Sequence, residues 1–392
     1  MAQKERLLSL DVMRGITIAA MLLVNNPGSW SHIYAPLRHA SWHGMTPTDL
    51  IYPFFMFIMG VSMHFSLIKY KDAGLNSMAF SRIAKRSLLM FVVGLGLQAV
   101  SYIGYGLSAY LLGRTPEGTT LAQAIFPIET FRIMGVMQGL AIAYFFGSII
   151  ILAIKWRYIL WIAGGILVAY IIVLHLGNGY VLAENNIIAI VDRAVLGAKH
   201  LYQETLAYGT KIPFEPEAIL SSIPRVAHVM LGVYVGHIIT KIKNNDQRTN
   251  HLFIFGTIIL FTGLLLQYGD PINKKLWTSS YTLISCGFGS LLLALLIWII
   301  DIRKHAKWST FFEVYGINPL FLYVIGWVLS VLFGLNLKYG ETITSVKGFL
   351  YNNVFQPILG NELNSLAYAL FFVCVTWLFG YILYRKKIYV KL

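Results

Sequence analysis

The chain has 392 residues, 57% of them hydrophobic and only 12% charged, with a mean hydropathy of +0.65. Soluble domains carry about 25% charged residues, so a soluble enzyme, a disordered chain and a secreted disulfide scaffold are excluded; the two cysteines, Cys286 and Cys374, both lie inside apolar runs. The net charge of +14 would suit nucleic acid only if it were clustered, and its spread along the chain has a membrane explanation, given below.

Apolar runs long enough to cross a hydrocarbon core of ~30 Å, about 20 residues each, predict ten transmembrane helices. They cover 8–26, 48–68, 86–104, 132–154, 158–176, 218–240, 251–268, 279–300, 311–334 and 365–384. The expected fold is all-α, a single polytopic membrane domain over 1–392. The first run opens as a signal peptide would, but Asp11 and Arg14 interrupt it and no small-x-small cleavage site follows, so it reads as a retained helix. Those two residues are three apart and can meet on one helix face, either as a structural pair or as part of a site.

Between the first two runs lies the densest polar stretch. It comprises Val24–Trp30, then Arg38-His39-Ala40-Ser41-Trp42-His43-Gly44, then Thr46-Pro47-Thr48-Asp49-Leu50. His32, His39 and His43 share this short loop. Imidazole is the side chain suited to proton exchange near neutral pH. A carboxylate entering the next helix could hold its tautomer, and an Asn amide could stabilise oxyanion charge. An interfacial loop with polar and aromatic anchors is the structural alternative. His39 and His43 have i,i+4 spacing, but Pro36, Gly44 and Pro47 argue against a helix there and no H-E-x-x-H pattern is present, so no metal is expected.

Further along, Gly94-x-Gly96 reads as helix packing. Arg132 opens the fourth run beside Glu129, as an interfacial anchor or an anion contact. Arg225 follows Pro224, where a proline inside the bundle would free backbone carbonyls. Glu313, Asn318 and Pro319 interrupt the ninth run, predicting a broken helix beside a cavity. Polar and ionisable groups in spans are costly unless paired or hydrated, which makes Arg14, Arg132, Arg225 and Asn318 candidates for lining a ligand path.

Ten spans put both termini on one side. Nineteen of the 31 basic residues fall on that side, from Lys4 and Arg6 through the 69–86 loop, Lys155, Arg157, Lys241, Lys243, Arg248, Arg303, Lys304 and Lys307 to Arg385–Lys391. Nine fall opposite. The basic side, with both termini, is expected to be cytoplasmic. The charge is therefore topological and no nucleic-acid partner is expected. Missing sorting signals and compactness lead to the expectation of a bacterial inner membrane.

Several segments occur together in order: Leu10-Asp11-Val12-Met13-Arg14-Gly15, Val24-Asn25, His39–Thr46, Asp49-Leu50, Phe57–Gly60, Arg132–Gln138, Glu217–Pro224, Pro271–Tyr281 and Gly316–Leu320. As a set they resemble the heparan-α-glucosaminide N-acetyltransferase family of transmembrane acyltransferases, over nearly the whole chain. The resemblance implies acetyl transfer from cytosolic acetyl-coenzyme A to a terminal glucosamine across a membrane. It places the active-site histidine at His39, with Asn25 and Asp49 beside it. Met134 stands where the family has Pro, Gly139 stands where it often has Arg, and the large lumenal N-terminal extension is expected to be lacking. The expected partners are acetyl-coenzyme A, an amino sugar or glycan acceptor, the bilayer and, optionally, a second copy of the chain.

Such a reaction suits the topology. The phosphates of coenzyme A cannot cross hydrocarbon, but a weakly polar pantetheine arm can enter between helices and meet an acceptor at His39. His39 would serve as general base, oriented by Asp49, with Asn25 polarising the carbonyl; an acetyl-His39 intermediate is the other route. The competing readings are an O-acyltransferase of acyltransferase-3 type, whose first helix is similar but carries a histidine where this chain has Asn25, and a small-solute transporter.

Overall fold

The computed structural model describes residues 7–71, 74–206, 209–356 and 360–390. Lys4, Arg6 and Lys391, counted above on the basic side, lie outside them. The helices are α1 (Leu8–Asn25), α2 (Ile51–Lys71), α3 (Ser77–Leu111), α4 (Leu121–Ile125), α5 (Val136–Ala153), α6 (Ile159–Leu176), α7 (Ile187–Leu196), α8 (Ser222–Lys241), α9 (Asn245–Leu266), α10 (Ser279–Leu296), α11 (Thr310–Ile317), α12 (Pro319–Gly334), α13 (Val346–Leu350) and α14 (Asn361–Arg385). Two small antiparallel hairpins, β1 (Gln203–Thr205) with β2 (Lys211–Pro213) and β3 (Asn336–Tyr339) with β4 (Thr342–Ser345), lie in the loops.

Among the described residues, nine helices are long and apolar enough to span a bilayer, and α11 with α12 forms a tenth, bent by 78°. The expected interruption at Asn318-Pro319 is thus the break itself: Pro319 opens α12, where its missing N–H costs nothing. Several boundaries differ from the sequence expectation, α9 beginning at Asn245 and α14 at Asn361 among them. Arg132 precedes α5 by four residues, in extended chain. Helix α3 runs for 35 residues, beginning at a cap in which Asn76 accepts from the Ala79 amide at 2.8 Å. Hydropathy ends this run at Arg86 because Arg82 and Lys85 are charged, but those residues extend the helix beyond the apolar layer.

Helices α1, α2, α5, α8 and α10 are mostly buried, α8 the most, while α3, α6, α9 and α14 are largely exposed on the outside. Small residues let the inner helices touch backbone to backbone, as packing in lipid favours. Gly60 of α2 faces Gly232 of α8, and Gly15 of α1 faces Phe312 and Gly316 of α11. At one end of the bundle the Gly28 amide donates to the Ser365 carbonyl at 3.1 Å, joining the exit of α1 to the start of α14. The first residues of α1 and the last of α14 therefore share the opposite end.

Candidate active site

The segment before α2 is shaped by one carboxylate. Thr46 and Asp49 form a reciprocal cap on the turn Pro47–Leu50. Asp49 is buried, and its Oδ2 accepts from the amides of Thr46 (3.1 Å) and Ala40 (3.0 Å) and from the Thr46 hydroxyl (3.1 Å). Tyr281 of α10 donates to the Asp49 carbonyl at 2.6 Å. The loop is pinned further by Gly44, whose φ of +99° only glycine adopts cheaply and whose amide donates to Ile272, and by the Trp42 indole donating to the Tyr180 carbonyl at 2.8 Å.

These restraints leave Asp49 Oδ1 facing His39, with Nδ1 2.7 Å away. A buried carboxylate can only accept, so Nδ1 carries the proton and donates it. The lone pair is left on Nε2, in a side chain 48% exposed. Lys274 Nζ lies 3.2 Å from both Asp49 Oδ1 and His39 Nδ1. Because Nδ1 is already a donor, the ammonium donates to Asp49. His32 and His43 stand apart: His32 borders a crevice with Ile33 and Glu362, and His43 lies edge-on to Trp42 at 6.0 Å.

Lys274 comes from the connection between α9 and α10, which is rigid for local reasons. Asn273 Oδ1 accepts from the Leu276 amide, its carbonyl accepts from the Thr278 amide, and Asp270 accepts from the Ser280 amide and the Tyr180 hydroxyl. Trp277 holds φ +54° while buried against Tyr52 and Tyr281. Such backbone strain persists only where surrounding contacts determine it. Burial pushes the Lys274 ammonium below its usual pKa, against the pull of Asp49.

The other sequence candidates separate. Asn25 is exposed at the end of α1 and makes no side-chain hydrogen bond among the described residues, whereas neighbouring Asn26 is buried. Arg132 does not pair with Glu129, which meets Lys199 on the surface; it binds Glu215 and Glu217, the latter at 2.7 Å. Burial pushes the Glu217 carboxyl up, but Arg132 and then Arg225 outweigh it, and the net shift is downward. Arg225 is fully buried between Trp277 and Tyr52, with Nη2 donating to the Pro216 carbonyl at 2.9 Å. Pro224 lies in the first turn of α8, where no N–H is required, so it does not free the backbone carbonyls that the sequence led one to expect.

Arg14 pairs with Asp11 at 2.9 Å, as the three-residue spacing predicts, and also donates to Ser62 and the Gly316 carbonyl. Asn318 is buried. Its amide donates to the Ile388 carbonyl and its Oδ1 accepts from the Val390 amide, so it clamps the C-terminal segment.

Two cavities flank α5. One, of about 270 Å³, is lined by Gln98, Tyr102, Arg132, Gln138, Glu217 and Trp327 among others. The other, of about 370 Å³, is lined by Arg14, Ser62, Arg86 and Val390 among others. Met137 borders both. Glu217 on the first wall is within Coulombic reach of Lys274. Arg132 and Glu217 border the first cavity, and Arg14 and Val390 the second. Lys274, Glu215 and Arg86 are the participants that sequence reasoning did not single out. Lys274 lies within the Pro271–Tyr281 segment already noted, and that was the available signal.

A family model described as heparan-alpha-glucosaminide N-acetyltransferase, catalytic, matches residues 6–265. Heparan-alpha-glucosaminide N-acetyltransferase of Homo sapiens is 27% identical over 439 residues, covering 99% of this chain, and that of Mus musculus is 27% identical over 442 residues with the same coverage. The chain spans 60% of the length of these relatives. With the match extending over well more than half of its residues, the chain belongs to the heparan-alpha-glucosaminide N-acetyltransferase catalytic family.

Proposed function

We propose that this chain is a transmembrane N-acetyltransferase that moves an acetyl group from acetyl-coenzyme A to the amine of a glucosamine-like sugar at the His39 end. The observation that carries the reading is the His39–Asp49 hydrogen bond of 2.7 Å, which keeps the proton of the neutral ring on Nδ1 and leaves Nε2 as its acceptor nitrogen in a half-exposed side chain. The neutral acceptor amine attacks the thioester carbonyl. His39 Nε2 takes the N–H proton as the amide forms, and returns it to the departing thiolate as the C–S bond breaks. The Asp49 carboxylate stabilises the imidazolium between those steps, and Lys274 balances the carboxylate's charge.

The donor path follows the two cavities. Arg86 lines the cavity at the end holding the chain termini and keeps an unpartnered buried Nε, and Arg14 lies on the same wall. Guanidinium groups there suit phosphate oxygens. The surplus of basic loops supports placing that end in the cytoplasm. Asn25, exposed at the exit of α1, is assigned to polarise the carbonyl once both substrates are bound.

The test uses purified protein in sealed liposomes, with radiolabelled acetyl-coenzyme A on one side and glucosamine on the other. Labelled amide on the acceptor side is the expected result. Label on sugar hydroxyls would transfer the assignment to O-acylation. Saturable solute uptake without thioester consumption would make the protein a transporter.

A further inference from the structure

The cavity beside Glu217 carries an unusual pair of amides. Gln98 of α3 donates through Nε2 to the Met134 carbonyl at 2.8 Å, which fixes the orientation of its amide, and its Oε1 is left buried without a partner. Gln138 of α5 is only 1% exposed, and its Nε2 is likewise buried and unpartnered. Both residues line the cavity. One wall therefore offers an unused acceptor and an unused donor, each of which lost its water on folding.

Glycines make room for this pair. A Cβ at Gly135 would lie 2.8 Å from Gln98 Nε2 and 3.1 Å from Gln138 Oε1. The charged groups of the cavity are already occupied, since Arg132 is held by Glu215 and Glu217, and the rest of the wall includes Val136, Met137 and Trp327. A wall with apolar surface, one free donor and one free acceptor selects a neutral group that both accepts and donates.

We infer that Gln98 and Gln138 form a binding subsite for a secondary amide, whose carbonyl accepts from Gln138 Nε2 and whose N–H donates to Gln98 Oε1. Two sources of that group meet at this site under the acetyl-transfer reading on which the inference rests: the pantetheine arm of the donor and the acetamido group of the product. The cavity borders the Arg14 and Arg86 cavity at Met137, which places an incoming donor arm in it.

The experiment compares Gln98→Met and Gln138→Met with the wild type, each checked for a single monodisperse species. The first probe is coenzyme A itself, titrated calorimetrically in detergent, so the result is readable whether or not acetyl transfer to glucosamine occurs. Loss of one hydrogen bond of this kind predicts weakening by about tenfold in each variant. The second compares two minimal donors, S-acetyl-N-acetylcysteamine and its oxygen ester counterpart, which lacks only the N–H. The wild type should prefer the amide by about tenfold in kcat/KM. Gln98→Met should abolish that preference, and Gln138→Met should lower both donors together because both keep the carbonyl.

If the product is the source, coenzyme A binding and donor preference stay unchanged while inhibition by N-acetylglucosamine weakens in both variants. Unchanged coenzyme A affinity, donor preference and product inhibition in both folded variants would overturn the proposal and leave the amides to bound water. A Gln138→Met protein that fails to fold is replaced by Gln138→Leu, which removes the donor at that position and should weaken coenzyme A binding in the same way.

Discussion

The proposed acetyl transfer needs at position 39 an imidazole with one nitrogen held protonated and the other bare. In that reading Asp49 supplies the first condition from the cap of α2, and exposure of the ring supplies the second. His39→Ala is expected to lower acetyl transfer by about 10²–10⁴-fold while coenzyme A binding persists, and near-normal turnover in that variant would refute the role. Lys274 acts through Asp49 and is a positioning residue. Lys274→Met leaves the Asp49 carboxylate without its ion pair and should lower kcat while coenzyme A affinity holds; a loss of thermal stability with kcat unchanged would assign Lys274 a structural role only.

Among the elements, the contact of α1 with α11 sets the geometry of the Arg14 wall. A Cβ on Gly316 would overlap the Asp11 carbonyl, a backbone atom that cannot swing aside. Gly316→Ala is thus expected to destabilise the fold by about 1–3 kcal/mol, read as a lower midpoint in thermal aggregation, with Gly164→Ala, which meets nothing within 4 Å, as the neutral control. An unchanged midpoint for Gly316→Ala would show that the two helices separate freely. At this scale the sequence was informative wherever hydropathy decided, as for α1, α6 and the break at Asn318-Pro319. It was silent where a helix left the apolar layer, as α3 does, because charged residues in a helical turn carry the same local signal as a loop.

For the whole molecule, the cap of loops over the His39 end has its own electrostatics. Asp192 of α7 is fully buried and accepts from the Ile219 amide at 3.0 Å, and burial raises its pKa to about 7. Its unfolded value is about 4, so the folded protein holds the proton more tightly. The stability this provides is complete below about pH 4 and is lost as the pH rises through about 7. Asp192→Asn stays neutral throughout and should raise the melting temperature at pH 8 while leaving it nearly unchanged at pH 4. An equal gain at both pH values would attribute the effect to packing instead.

The ten apolar segments and the histidine loop were readable from the chain because transfer into hydrocarbon is a property of each residue and its near neighbours. The pairing of Asp11 with Arg14 was readable for the same reason, since three residues span one helical turn. Only the tertiary structure decided that Lys274 joins His39 and Asp49 across 225 residues or more, that Arg132 takes Glu215 and Glu217 in place of Glu129, and that Asn318 holds the C-terminal segment. Those partners come from separate loops, and which loops meet is set by the packing of the helices between them, a sum over many weak contacts that no local pattern records.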